Sequence, residues 1–312
     1  MAAGKATRAA YGETLVELYQ EGLDVYAVDA DLSNSTTTAA LAKVAPTHHL
    51  DVGIAEQNMI DVAAGLSLTG KTVFTGSFAV FGTGRVYDQI RNTVCYANLD
   101  VKIAPTHAGV SVGADGGSHQ MIEDLALMQV LPRMRVLVPA DYLSAKAAIR
   151  LAATTPGPFY IRLGRATVPY LYDDSQGFAL GKARVLRQGS DVSIIACGVE
   201  VTFALQAAEL LAQQGIQAEV IDAFSLKPLD EDTILASVGK TGYVITAEEH
   251  SVIGGLGSRV ASLMAKNPTL LKGPMRFIGV QDSFGTSGEP DELYRLFGLD
   301  AQSIYDVVLQ CK

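Results

Sequence analysis

The sequence predicts an α/β protein made of two consecutive open, mostly parallel sheets with helices on both faces. Short apolar runs alternate with amphipathic helical stretches through the first half, and the alternation restarts after a polar break. Nearly half of the 312 residues are apolar, enough to cover such sheets on both sides.

In chain order, Arg8 to Gln20 reads as a helix and Val25 to Asp29 as a buried strand. Gln57 to Leu68 reads as a helix, Thr72 to Phe74 as a strand and Gly84 to Ala97 as a further helix. Val101 to Ala104 and Val136 to Val138 read as strands, with Tyr142 to Ala153 helical before a strand at Phe159 to Arg162. A helical run is expected to start near Met121. The stretch Pro169 to Gly181 is polar and irregular, which sets a first domain at 1–170, a linker at 171–187 and a second domain at 188–312. The second domain opens with a strand at Asp191 to Cys197 and a helix at Val201 to Gln213. Strands at Ala218 to Ile221 and Tyr243 to Thr246 follow, and then a glycine-rich turn into a helix at Gly254 to Met264.

A formal charge of -9 argues against a nucleic-acid partner, whose phosphates call for a basic surface. It leaves room for small phosphorylated ligands, because a few arginines hold one phosphate in an acidic protein. Cys95, Cys197 and Cys311 form no CxxC pair, so neither a disulfide framework nor a zinc site is indicated. The N-terminus has no apolar stretch like a signal peptide, and no run approaches the roughly 18 apolar residues that span a membrane. A soluble, cytoplasmic protein is expected.

Open parallel sheets bind ligands beyond the carboxyl ends of their strands, and three polar clusters fall there: Asp29 to Ser33, Gly76 to Phe78 and Thr106 to Gly109. Glu56 opens an apolar-rich helix. A first-turn carboxylate gains from the helix dipole; the functional alternative is a partly buried acid that shares a proton with a ring nitrogen. Phe78 and Phe81, flanked by glycines, read either as core residues or as a stacking surface for a flat heterocycle. The densest cluster runs from Thr106 to Gln120. It places His107, Asp115 and His119 in a glycine-rich loop where the backbone can approach a ligand closely. The spacing of its two histidines matches no familiar metal motif. Arg8, Ser35 and Arg165 taken singly read as solvated surface residues.

Together these segments resemble, in order and spacing, the pyrimidine-binding domain of transketolases. The matching residues are Ala6-Thr7-Arg8, Ala30 to Ser35, Gly53 to Gln57, Gly76 to Phe81, Thr106-His107 through Gly113 to Gln120, and Arg165. The second half resembles the transketolase C-terminal domain, including Ala247-Glu248-Glu249-His250 and Gly254-Gly255-Leu256-Gly257. The resemblance implies that Glu56 hydrogen-bonds the aminopyrimidine of thiamine diphosphate and promotes its imino form. It implies that Phe78 and Phe81 line the aminopyrimidine pocket and that Asp31 lies near the cofactor. His119 and Asp115 would bind substrate hydroxyl and carbonyl groups, His119 also counting as catalytic. Arg8, Ser35, His107 and Arg165 would hold the substrate phosphate.

One departure from the family pattern is informative. No Gly-Asp-Gly followed by a suitably spaced Asn, the diphosphate and metal motif, occurs; Asp115-Gly116-Gly117 belongs to the substrate loop. The resemblance therefore implies an N-terminal partner subunit that binds the diphosphate through Mg2+ or Ca2+, self-association into an α2β2 assembly, and ketol transfer between sugar phosphates in the pentose phosphate pathway. An opening helix close to Met1 favours a split enzyme over a fragment. Three other enzymes remain open: a transketolase for an unusual sugar such as apulose 4-phosphate, the beta subunit of a 2-oxo-acid dehydrogenase, and 1-deoxy-D-xylulose-5-phosphate synthase. The last lacks its Tyr-Pro-Arg-Gly segment here, where Leu163-Gly164-Arg165 stands instead. A non-catalytic thiamine-binding protein would be expected to lose Glu56 or the histidine loop, and both are present.

Overall fold

A computed structural model describes residues 4–173 and 177–311. Two main sheets organise the chain. The first has seven strands in the spatial order 225–227, 135–137, 159–161, 101–103, 72–76, 25–29, 49–51. All its neighbours run parallel except the edge strand Ser225–Lys227, which pairs antiparallel to Arg135–Leu137. The second has five strands in the order 276–280, 244–251, 192–196, 218–222, 184–187, parallel apart from Arg184–Arg187.

The sequence explains this architecture. Val25–Asp29 and Val192–Ala196 are almost wholly buried because helices cover both faces of each sheet. Helix Tyr142–Thr154 starts on a capping box between Asp141 and Ser144, and Glu231–Thr241 stops at Gly242, whose φ of 78° suits glycine. The helix Thr7–Gln20 packs on Tyr142–Thr154, and Glu17 and Glu21 bind Arg150 across the seam.

Two helix expectations need adjusting. The helical run expected near Met121 begins at Asp124, because Met121 instead bridges Ala108 and Gly109. The helix expected from Gly84 occupies Val80–Gly84 and Gln89–Tyr96 with wide, π-type turns. Ser225–Lys227, although from the C-terminal half, completes the first sheet, so the two halves are laced together. No apolar signal marks so short an edge strand. The expected linker lies partly at 174–176, outside the described residues, and its last residues form the strand Arg184–Arg187.

Candidate active site

Four adjacent parallel strands of the first sheet end on one edge, and the loops that follow them carry the candidate residues. Ser35 follows Val25–Asp29, Phe78 and Phe81 follow Thr72–Gly76, His107 follows Val101–Ile103, and Arg165 follows Phe159–Ile161. Arg8 reaches the same edge because the start of its helix is pinned to the last of these loops. The Gly164 amide donates to Thr7 Oγ1 at 2.8 Å, and the Arg8 amide donates to the Gly164 carbonyl at 3.3 Å.

The centre of the site is aromatic. Phe78 and Phe81 lie nearly parallel, with ring centres 6.3 Å apart and 16° between planes. His107 stacks on Phe78 at 3.8 Å, and His119 meets the edge of the pair, 5.4 Å from Phe81 and 6.4 Å from Phe78. Glu56, the first residue of its helix, is only 3% exposed. Its Oε2 accepts a hydrogen bond from Arg85 Nη1 at 2.9 Å, and the Arg85 guanidinium lies over the Phe81 ring at 4.3 Å. Glu56, Arg85, Phe81, His119, Phe78, His107 and Arg8 thus form one continuous arc.

The far end of the arc is electropositive. Arg8 Nη1 donates to the Ser35 carbonyl at 3.0 Å and approaches His107 Nε2 at 3.4 Å. Burial first, and the neighbouring Arg165 second, push the Arg8 guanidinium pKa down. Burial pushes His107 down to about 3, with Arg8, Arg165 and His119 adding to the effect, so its imidazole is neutral at any working pH. A guanidinium only donates, so Nε2 is the acceptor toward Arg8. Nδ1 then carries the proton and donates to Thr106 Oγ1 at 2.7 Å. His107 holds a φ of 62°, a strained conformation for a residue with a Cβ. Arg165 Nη1 donates to the Val112 carbonyl at 2.7 Å and so anchors on the histidine loop. Two half-buried guanidinium groups, close enough for Arg165 to lower the Arg8 pKa, concentrate positive charge that an anion would offset.

Four predicted residues are not among these seven, of which Ser35 meets Arg8 through its carbonyl and Arg165 acts on the Arg8 charge. Asp31 is exposed on the turn after its strand, where Asp51 Oδ1 accepts from its amide at 3.0 Å. Asp115 is exposed on the histidine loop. Sequence reasoning missed Arg85, which looks like any helical surface arginine until the fold sets it against Glu56. It also missed the buried pair of Arg162 and Asp124, joined at 2.7 Å, in which Arg162 also donates to the Glu249 carbonyl at 2.9 Å and so ties the histidine-loop side to the C-terminal half. Of the C-terminal motifs, Glu248 caps the helix Leu256–Lys266 by accepting from the Leu256 and Gly257 amides at 2.7 and 2.8 Å. A Cβ at position 255 would stand 1.9 Å from Glu248 Oε2, so that glycine serves the cap.

An aromatic pair and a nearby buried carboxylate are the residue types an aminopyrimidine ring would call for, a flat apolar surface and an acid. Among the described residues no group of three or more His, Cys, Asp or Glu is placed to hold a metal ion.

Comparison with known proteins places the chain in a family. The pyrimidine-binding domain model of transketolase matches residues 3–169, and the transketolase C-terminal domain model matches residues 181–304. A Methanocaldococcus jannaschii chain named provisionally as a transketolase C-terminal section is 46% identical over 308 residues, covering 98% of this chain and 96% of that one. The 6-deoxy-6-sulfo-D-fructose transketolase subunit of a Clostridium species is 43% identical over 297 residues, covering 95% of this chain and 91% of that one. A solved structure described as a split gene transketolase, inactive beta4 tetramer, superposes with a TM-score of 0.88 at 47% identity, covering 99% of this chain and 98% of that one. Matched over nearly its whole length, the chain belongs to the thiamine diphosphate-dependent transketolase family, as the C-terminal subunit of a split transketolase.

Proposed function

We propose that this subunit supplies the aminopyrimidine and substrate side of a ketol-transfer site, and that a separate N-terminal subunit supplies the diphosphate and its Mg2+ or Ca2+. The observation that carries the reading is the arc itself: a buried carboxylate at one end, an aromatic platform in the middle and an anion-seeking pair of arginines at the other. Bound thiamine diphosphate supplies a nucleophilic carbon that accepts and releases a two-carbon ketol unit.

In this reading Glu56 holds a proton against the aminopyrimidine ring, and Phe78 and Phe81 stack on that ring and keep water from it. His119, standing beside both phenylalanines, binds donor-sugar oxygens, with Asp115 closing the loop over the hydroxyl end and Asp31 lying toward the cofactor. Arg8 and Arg165, with Ser35 and His107, grip the terminal anion of the sugar. The unit 1–170 is the pyrimidine-binding domain and 188–312 the C-terminal domain, assembled as α2β2 in the cytoplasm, with sugar phosphates of the pentose phosphate pathway as the first candidates. A second reading, a specialised sugar, is favoured by the 43% identity to a subunit named for a sulfonated ketose, because two arginines accept a sulfonate as readily as a phosphate.

Reconstitution tests the proposal. The purified chain with thiamine diphosphate and Mg2+ is assayed for ketol transfer alone and with the N-terminal subunit, using fructose 6-phosphate and its sulfonated counterpart as donors. Activity is expected only with both subunits, and full transfer by this chain alone would refute the split site.

A further inference from the structure

The histidine loop is built against the C-terminal half along much of its length. The Ser111 amide donates to Glu249 Oε1 at 2.6 Å. A Cβ at position 117 would stand 2.5 Å from the Gly285 carbonyl oxygen, and one at 116 would stand 2.5 Å from Ser287 Oγ. Glycine is needed at 117 because two backbones approach each other there, and at 116 because its φ is 75° and the Ser287 hydroxyl fills the space a Cβ would take. The tightest element of this seam is Gln120, the residue next to His119. It is 4% exposed, and its Nε2 donates both to the Val110 carbonyl at 2.8 Å and to the Thr286 carbonyl at 2.9 Å.

We infer that Gln120 is a positioning residue, through which the C-terminal half holds His119 against Phe78 and Phe81. Both protons of the Nε2 amide are used, one inside the loop and one across the seam, so the side chain fixes the two ends of the loop to a common external point. Successive residues then face opposite ways: Gln120 into the seam and His119 toward the aromatic pair. The site side of the contact is matched by its partner. A Cβ at position 285 would stand 1.7 Å from Gln120 Oε1, so only glycine at 285 admits the amide. The C-terminal half, which provides no residue of the arc, thereby acts on substrate binding at a distance. The inference rests on the proposed substrate role of the histidine loop.

Geometry of this kind carries a large kinetic weight, since a displacement of about 1 Å at a reacting centre costs on the order of 10²-fold in rate. The test is a double-mutant cycle in the reconstituted enzyme with Gln120→Ala, Gly285→Ala and both together, alongside His119→Ala. The readouts are kcat and KM for fructose 6-phosphate, and the thiamine diphosphate Kd by calorimetry. Each single variant is expected to lower kcat/KM for the donor by about 10- to 100-fold, mainly through KM, with the cofactor Kd changed by less than about twofold. The double variant is expected to lose no more than Gln120→Ala alone, because the shortened side chain at position 120 leaves room for the added methyl. Normal donor kinetics in Gln120→Ala alongside an impaired His119→Ala would overturn the clamp, as would additive losses in the double variant or a parallel loss of cofactor affinity. Normal kinetics in His119→Ala would instead overturn the substrate role on which the inference stands.

Discussion

Arg8 Nη1 stands 3.4 Å from His107 Nε2, a cation held against an imidazole that burial keeps neutral. The contact fixes the imidazole tautomer, with Nε2 unprotonated. In the proposed site a phosphate taking a hydrogen bond from Nε2 would require the imidazole to exchange its tautomer.

The first prediction concerns stability. His107 titrates at its ordinary 6.5 when unfolded and at about 3 when folded. Above 6.5 both states are neutral and the residue adds no pH dependence. As pH falls from 6.5 toward 3 the unfolded chain binds a proton that the folded chain refuses, so stability is lost at up to about 1.4 kcal/mol per pH unit. His107→Gln should flatten this part of the curve when Tm is followed from pH 7 to pH 4. Parallel curves for the two proteins would remove the assigned burial effect.

Arg85 gives the second. Its side chain is 46% exposed, so the ion pair with Glu56 is partly screened and Arg85→Ala should cost only about 1 kcal/mol of stability. In the proposed site Arg85 and the aminopyrimidine ring compete for the same carboxylate, so the variant should bind thiamine diphosphate at least as tightly as the parent in the assembled enzyme. A cofactor Kd weakened more than about tenfold would show that Arg85 touches the cofactor rather than holding its place.

Glu56→Gln keeps the side-chain shape and a hydrogen bond yet removes the exchangeable acid. Turnover of the reconstituted enzyme should drop by at least about 10²-fold, while cofactor affinity falls much less. Near-normal turnover would contradict the acid assigned to the aminopyrimidine.

Removing Arg165 should leave the sugar's anion half-paired, at about 1–3 kcal/mol or roughly 5- to 150-fold in kcat/KM. The loss in Arg165→Ala should be confined to phosphorylated or sulfonated donors and absent with the dephosphorylated sugar. An equal loss on all three substrates would mean that Arg165, through its 2.7 Å bond to the Val112 carbonyl, supports the loop rather than the ligand.

The long parallel strands and their helices were legible because burial on both faces writes apolar runs such as Val25 to Val28 and Ile194 to Cys197. Short edge strands such as Ser225–Lys227 were not, since three residues carry no periodicity.

By itself the sequence determined the fold class, the family and the lack of a diphosphate motif, because these depend on residue order, patterning and the presence or absence of a local string. Tertiary structure alone decided what stands against what. It brought the helix start at Arg8 to the loop after the fourth strand, set Arg85 over Phe81 beside Glu56, and put Gln120 against Thr286, which lies 166 positions along the chain. Such pairings follow from how strand ends converge on one edge of a sheet and how two sheets dock. Contact across the fold is a property of packing, and a linear string has no coordinate for it.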